Sequence, residues 1–188
     1  MKKSRRRLIF IIIAAFVITL GVIQINKSSN KTEAAFLENY GMNGLSVEEI
    51  VYSLDSTKSD PVGLSASITG ENLILYDSSE EIKLALPEDK FYLSFAPYIT
   101  QTHPCATHSL SSCQGELVNQ TVNVIITDGK GNEIINSDMT TMENGFVGVW
   151  LPRNMNATIQ VLYNGLTAQT TFTTFSESNT CLTTLQLS

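Results

Sequence analysis

The sequence predicts a mainly β protein of the α+β class: a small N-terminal helix-plus-sheet region packed on a C-terminal antiparallel β-sandwich, preceded by an N-terminal transmembrane or signal helix. Three observations lead there. From Leu64 onward, apolar and polar residues alternate with period two in short runs separated by turn residues, as in half-buried strands. Asp128-Gly129 and Asn164-Gly165 are hairpin turn signals in the second half. Helix-ending and helix-starting signals stand before Ser56, at Gly41 and at Ser46 to Glu49.

In chain order, the first element is LIFIIIAAFVITLGVIQI, Leu8 to Ile25, eighteen positions without a charge behind Lys2, Lys3, Arg5, Arg6 and Arg7. An apolar run of that length behind a basic cluster places the N-terminus in the cytoplasm and exports the remainder of the chain. Residues 1–25 are expected to be a signal anchor, so that the folded part is extracytoplasmic and held to the cytoplasmic membrane through residues 8–25. The alternative is a signal peptide whose cleavage releases a secreted or periplasmic protein; no A-x-A site comes after the run. Residues 26–35 are polar and read as a linker. In the region 36–98, AAFLENYG ends at Gly41, a C′ glycine, and Ser46 to Glu49 has capping-box spacing. The helix this box starts puts Val47, Ile50, Val51 and Leu54 on one face. Strands come next at SASITG, NLILYD, EIKLAL and FYLSFAPYI. Residues 99–114 form a Cys/His loop, and 115–188 a sandwich with strands in TVNVIITD, EIINSDM, GFVGVWLP, ATIQVLYN and LTAQTTFTTF.

Charge is divided between the two parts. Residues 1–31 hold seven basic groups and no acid, whereas the rest holds five basic and eighteen acidic ones. A folded part this acidic excludes nucleic acid as a partner, because neutralising phosphates needs a cationic face. It concentrates cations instead.

The stretch QTHPCATHSLSSCQGE, 101–116, contains both histidines of the chain and two of its three cysteines. As ligands it reads His103-x-Cys105-x2-His108-x4-Cys113, with Cys181 far downstream. Thiolate and imidazole are the softer protein donors and select Cu(I) or Zn(II) over Mg(II) or Ca(II). The spacings lack the short paired bites of structural zinc knuckles, and an open Cu(I) site of two or three soft ligands suits them better, with Zn(II) as the alternative. A disulfide plus a spare thiol is the other reading of three exported cysteines, although a disulfide has no need of flanking imidazoles. Met139 and Met142 are thioether candidates and Trp150 a candidate neighbour of the site, each of which core packing also explains. Glu80, Glu81, Glu88 and Asp89 read as solvated surface. A Cys105/His108 hydrolase lacks an orienting partner by motif, and no G-x-S-x-G is present.

The segments FLENYGMNGLSVEEIVYSLD, DKFYLSFAPYITQTHPCATHSLSSCQGEL, DMTTMENGFVGVWLPR and TCLTTLQL together resemble the CueP family of exported copper-binding proteins, over about residues 36–188. The resemblance implies a copper site of Cys105, Cys113 and Cys181 with His103 and His108 as nearby participants. It also implies a role in copper resistance, buffering or metallochaperone transfer, with no turnover. The best-known members are soluble periplasmic proteins with cleaved signals, whereas an anchor here would make a tethered buffer. The alternative function is a thiol redox protein that reduces Cu(II) or exchanges disulfides. Expected partners are the copper ion, the membrane, a copper-receiving protein or thiol-disulfide oxidoreductase, and a second copy in a homodimer.

Overall fold

The computed structural model describes residues 32–57 and 61–188. The anchor expected at residues 8–25 lies outside them; among the described residues no helix is long and apolar enough to cross a membrane. The chain divides into two compact units, the first ending at Gly44 and the second spanning Leu45–Ser188.

In the first unit a helix, α1, covers 32–39, so it takes in the last residues of the polar stretch read as linker. Gly41 stops it. Its φ of +70° is open to glycine at little cost, and the Gly41 and Met42 amides fold back onto the Glu38 and Leu37 carbonyls at 3.1 and 2.7 Å.

The second unit opens with α2, Val47–Asp55. Ser46 and Glu49 form the capping box that the sequence predicts, each side chain meeting the other's backbone amide. Among the described residues eleven strands succeed it: β1 Ser65–Ile68, β2 Asn72–Tyr76, β3 Glu81–Ala85, β4 Lys90–Tyr98, β5 His108–Ser109, β6 Thr121–Asp128, β7 Glu133–Thr140, β8 Val147–Pro152, β9 Asn156–Tyr163, β10 Leu166–Thr173 and β11 Cys181–Gln186. They make three sheets, ordered β3-β2-β1-β5, β10-β9-β6-β7 and β11-β4-β8. The last two face each other across one core. Phe91, Leu93 and Phe95 of β4 meet Val122, Val124 and Ile126 of β6 and Ile159 and Val161 of β9 there. Each such fully buried side chain contributes about 1.5–3 kcal/mol relative to exposure.

The structure departs from the sequence expectations in three places. The sandwich is not antiparallel throughout: β11 runs parallel to β4, with Cys181 opposite Ser94 and Leu182 opposite Phe95. It also recruits β4, which the sequence pattern groups with 36–98. Period-two reading hides this, because β4 is buried on both faces and so looks continuously apolar. Asn164-Gly165 is a two-residue hairpin with both φ values positive, as expected. Asp128-Gly129, however, opens a four-residue loop that reverses at Gly131, φ +85°.

The two faces of β4 divide its tasks. Phe91, Leu93 and Phe95 enter the sandwich core. On the opposite face Tyr92 and Ser94 bond Asp55 at the end of α2, and Ala96 packs with Cys113, Phe146 and Cys181. The soft donors collect on this second face.

Candidate metal centre

Three separate chain segments meet behind β4. The segment 99–114 is more than a loop, since His108 and Ser109 form β5 on the edge of β1, with His108 opposite Ile68. A turn then carries the Cys113 amide back to the Ser109 carbonyl at 3.2 Å. Cys181 starts β11, and the residue before it ties the segments together. Thr180 Oγ1 donates to the Ile68 carbonyl at 2.6 Å and accepts from the His108 amide at 3.0 Å. The Thr180 and Cys181 amides both donate to the Ala106 carbonyl. The third segment, 142–146, brings Phe146. Here Gly115 and Gly145 touch backbone to backbone, so that a Cβ on Gly115 would lie 2.5 Å from the Gly145 carbonyl oxygen. The Gly115 amide donates to the Asn144 carbonyl at 2.6 Å.

The result brings all five predicted donors together, in two overlapping groups. Among the described residues, one donor atom each from His108, Cys113 and Cys181 lies within 4.8 Å of the others, and the same holds for His103, Cys105 and Cys113. The first group is buried; in the second, His103 and Cys105 are partly exposed. Cys113 belongs to both. Cys105 and Cys113 Sγ are 3.6 Å apart, and all three cysteines are free thiols. The Phe146 ring sits 4.8 Å from the His108 ring and 6.2 Å from that of His103, an apolar wall for both groups. A cavity of about 560 Å³ along β10 and β11 reaches Cys105 and Cys181, and another of about 250 Å³ lies beside His103.

The His108 ring is completely buried. Its Nε2 is 2.7 Å from Asp55 Oδ1, while its Nδ1 has no nitrogen or oxygen partner. A buried imidazole nitrogen that faces sulfur, with no nitrogen or oxygen partner, is what a soft metal ion would satisfy.

The family profile described as periplasmic copper-binding protein CueP matches residues 49–186. This chain belongs to the CueP family. The crystal structure of S.CueP matches it with a TM-score of 0.78 at 51% identity, covering 83% of this chain and 98% of that one. No curated protein matches.

The electrostatics of this CueP-family site favour one thiolate among the three sulfurs. The Cys181 thiol donates to Cys113, and with the nearby His108 ring this overcomes burial and holds Cys113 well below the usual thiol range. The same hydrogen bond, together with burial, pushes Cys181 far up. Burial raises Cys105. For His108, burial opposes the charged ring, but the bond to Asp55 and the proximity of Cys113 prevail and raise it to about 9. These shifts favour a His108 imidazolium facing a Cys113 thiolate, with Asp55 hydrogen-bonded on the other side of the ring.

Residues without a soft donor complete the site, and sequence reasoning missed them. Asp55, Tyr92, Ser94 and Asn144 form a buried network around His108. Glu116 holds the outer loop, its Oε2 accepting from the Ile99, Thr100 and Gln101 amides at 2.7, 2.9 and 3.3 Å and its Oε1 from Thr100 Oγ1 at 2.5 Å. Hydrogen bonds to Thr100 lower Glu116 to about 2 from its ordinary 4.5. Because the folded value is depressed, the stability this clamp contributes is present above about pH 4.5 and is lost as pH falls towards 2. The melting-temperature gap between wild type and Glu116→Ala should accordingly narrow on acidification through that window. A gap unchanged from pH 6 to pH 2 would show that the carboxylate charge is not what holds the loop. Met139, Met142 and Trp150, the other soft or aromatic candidates, line a cavity of about 390 Å³ with Tyr52 and Tyr92, and Met142 also packs against the Cys113/Cys181 cluster.

Proposed function

We propose that this chain is an extracytoplasmic copper-binding protein that stores Cu(I) between the Cys113 and Cys181 thiolates and His108 Nδ1, and exchanges it through Cys105 and His103. The observation that carries this is the membership of Cys113 in both donor groups. A shared thiolate lets an ion move from the buried group to the exposed one by replacing ligands singly, with no stage at which it is bare. The donors favour Cu(I): they are sulfur and imidazole, and the nearby carboxylates Asp55 and Glu116 are already occupied by hydrogen bonds. Neither group supplies the four ligands of a structural zinc site. The apolar run at residues 8–25 supports tethering to the membrane, which makes the protein a local buffer or a donor to a membrane neighbour.

Titration of the reduced full chain with Cu(I) against a competing chelator tests the reading. We expect Cu(I) to be held in strong preference to Zn(II), without loss of thiols, and membrane fractions to retain the protein. Equal competition by Zn(II) would overturn the Cu(I) assignment, and recovery in the soluble exported fraction would overturn the tether.

One observation favours a second reading. A thiolate at Cys113 with the Cys105 sulfur at 3.6 Å is arranged for disulfide formation, in which two thiols give up two electrons and two protons and two Cu(II) ions become Cu(I). Adding Cu(II) instead of Cu(I) separates the readings: a reductant loses two thiols for each pair of ions, whereas a pure binder loses none.

A further inference from the structure

Asp55 is a fully buried carboxylate at the C-terminal end of α2. That is a poor place for a negative charge, because helix carbonyls there present the negative end of the helix dipole. No lysine or arginine among the described residues pairs with it. It is held by four side chains: Oδ1 lies 2.7 Å from His108 Nε2 and accepts from Asn144 Nδ2 at 2.8 Å, while Oδ2 accepts from Tyr92 at 2.6 Å and from Ser94 at 3.3 Å. Asn144 Nδ2 also donates to the Asp55 carbonyl at 2.7 Å, and Asn144 Oδ1 accepts from the Phe146 amide at 2.9 Å. The carboxylate that orients His108 is thereby linked to the ring that walls the site. If the fold needed only a filled space here, an apolar residue would avoid the cost of burying a charge.

We propose that Asp55 is the positioning residue of the copper centre: by accepting a hydrogen bond from His108 Nε2–H it fixes the ring so that Nδ1 alone faces Cys113 and Cys181 as a donor. This rests on the reading of His108 as a ligand. The geometry leaves little alternative use for the carboxylate, since both oxygens are occupied and the other nitrogen of the His108 ring has no nitrogen or oxygen partner. Partners of this kind set which imidazole nitrogen is free and strengthen it as a donor, and their loss typically lowers metal affinity about 10–100-fold.

The test is a double-mutant cycle on Cu(I) affinity, measured by chelator competition on the reduced full chain, combined with nitrogen NMR of its two histidines in the Ag(I)-loaded state. Asp55→Ala should weaken Cu(I) binding by about 10–100-fold in the wild-type background and by no more than about threefold in a His108→Ala background. Asp55→Asn should lose less than Asp55→Ala. Its amide can keep the oxygen towards His108 and Asn144 and turn the NH2 towards the Tyr92 and Ser94 hydroxyls, which can accept. In wild type and Asp55→Asn the His108 Nε2 should carry the proton and Nδ1 the metal-shifted signal, whereas Asp55→Ala should lose that fixed assignment. If Asp55→Ala does not fold, the Asp55→Asn arm of the cycle decides alone. An equal affinity loss with and without His108 would reduce Asp55 to a structural role and overturn the proposal while leaving His108 a ligand. His108→Ala with unchanged affinity would overturn the ligand reading itself, and this proposal with it.

Discussion

Cys113→Ser should abolish the copper-dependent rise in melting temperature of the reduced protein. A ligand that binds only the native state stabilises it by RT ln(1 + [L]/Kd), about 2.7 kcal/mol when free ligand is one hundred times Kd, or about 5–10 °C for a chain of this size. Cys113 is in both donor groups, so its loss breaks both, leaving His108 with Cys181 and His103 with Cys105. Cys105→Ser leaves the buried group whole and should keep most of the shift. Cys181→Ser leaves the partly exposed group and should keep less. The measurement is thermal unfolding with and without Cu(I), each variant against its own metal-free baseline, because removing the Cys113 thiolate also removes the partner of the His108 ring. A full copper shift in Cys113→Ser would mean that the centre is not built around this sulfur.

The second large effect is expected away from any donor atom. Thr180 is 1% exposed, and its hydroxyl both donates to the Ile68 carbonyl and accepts from the His108 amide. Thr180→Val keeps the shape and deletes both bonds. Each buried group left unpaired costs about 1–3 kcal/mol, so the loss of two bonds should be about 2–6 kcal/mol. Denaturant unfolding of the reduced, metal-free protein measures it. The variant should also bind Cu(I) more weakly, because the same hydroxyl fixes His108 and the start of β11 to one point. A loss below about 0.5 kcal/mol would show that the hydroxyl is not the tie.

Soft donors are rare and their chemistry is local, so Cys105, Cys113, Cys181, His103 and His108 stand out in the sequence. The capping box at Ser46 and the reversal at Asn164-Gly165 are equally plain, because each is set by residues within four positions. What the sequence hides is non-local. Asp55 looks like one more polar residue at the end of an amphipathic helix, and only the packing of α2 over β4 shows that its side chain faces His108, fifty-three positions away. The QGE after Cys113 is visible as text. Its meaning requires the structure, where Gly115 admits the 142–146 turn and Glu116 gathers three amides of the preceding loop. Strand β4 is recognisable but reads with the wrong neighbours, since a strand covered on both faces carries no period to say which sheet it joins.

The parallel pairing of β11 with β4 bears on how the protein comes to be competent during biogenesis. Cys181 pairs with Ser94 across eighty-seven positions and joins Cys113 across sixty-eight, whereas Cys105 and Cys113 are eight apart. In an unfolded chain the near pair meets far more often than either meets Cys181, because closing a long loop costs more entropy. Contacts of such sequence separation also form late and slowly. A nascent chain therefore passes through a period in which two thiols are available to oxidants or stray metal and the third is not, and productive maturation depends on β11 docking before that near pair is committed. The thiol centre in this way reports on completed folding, and an oxidoreductase able to reopen a premature Cys105–Cys113 bridge would raise the yield of active protein without touching the finished site.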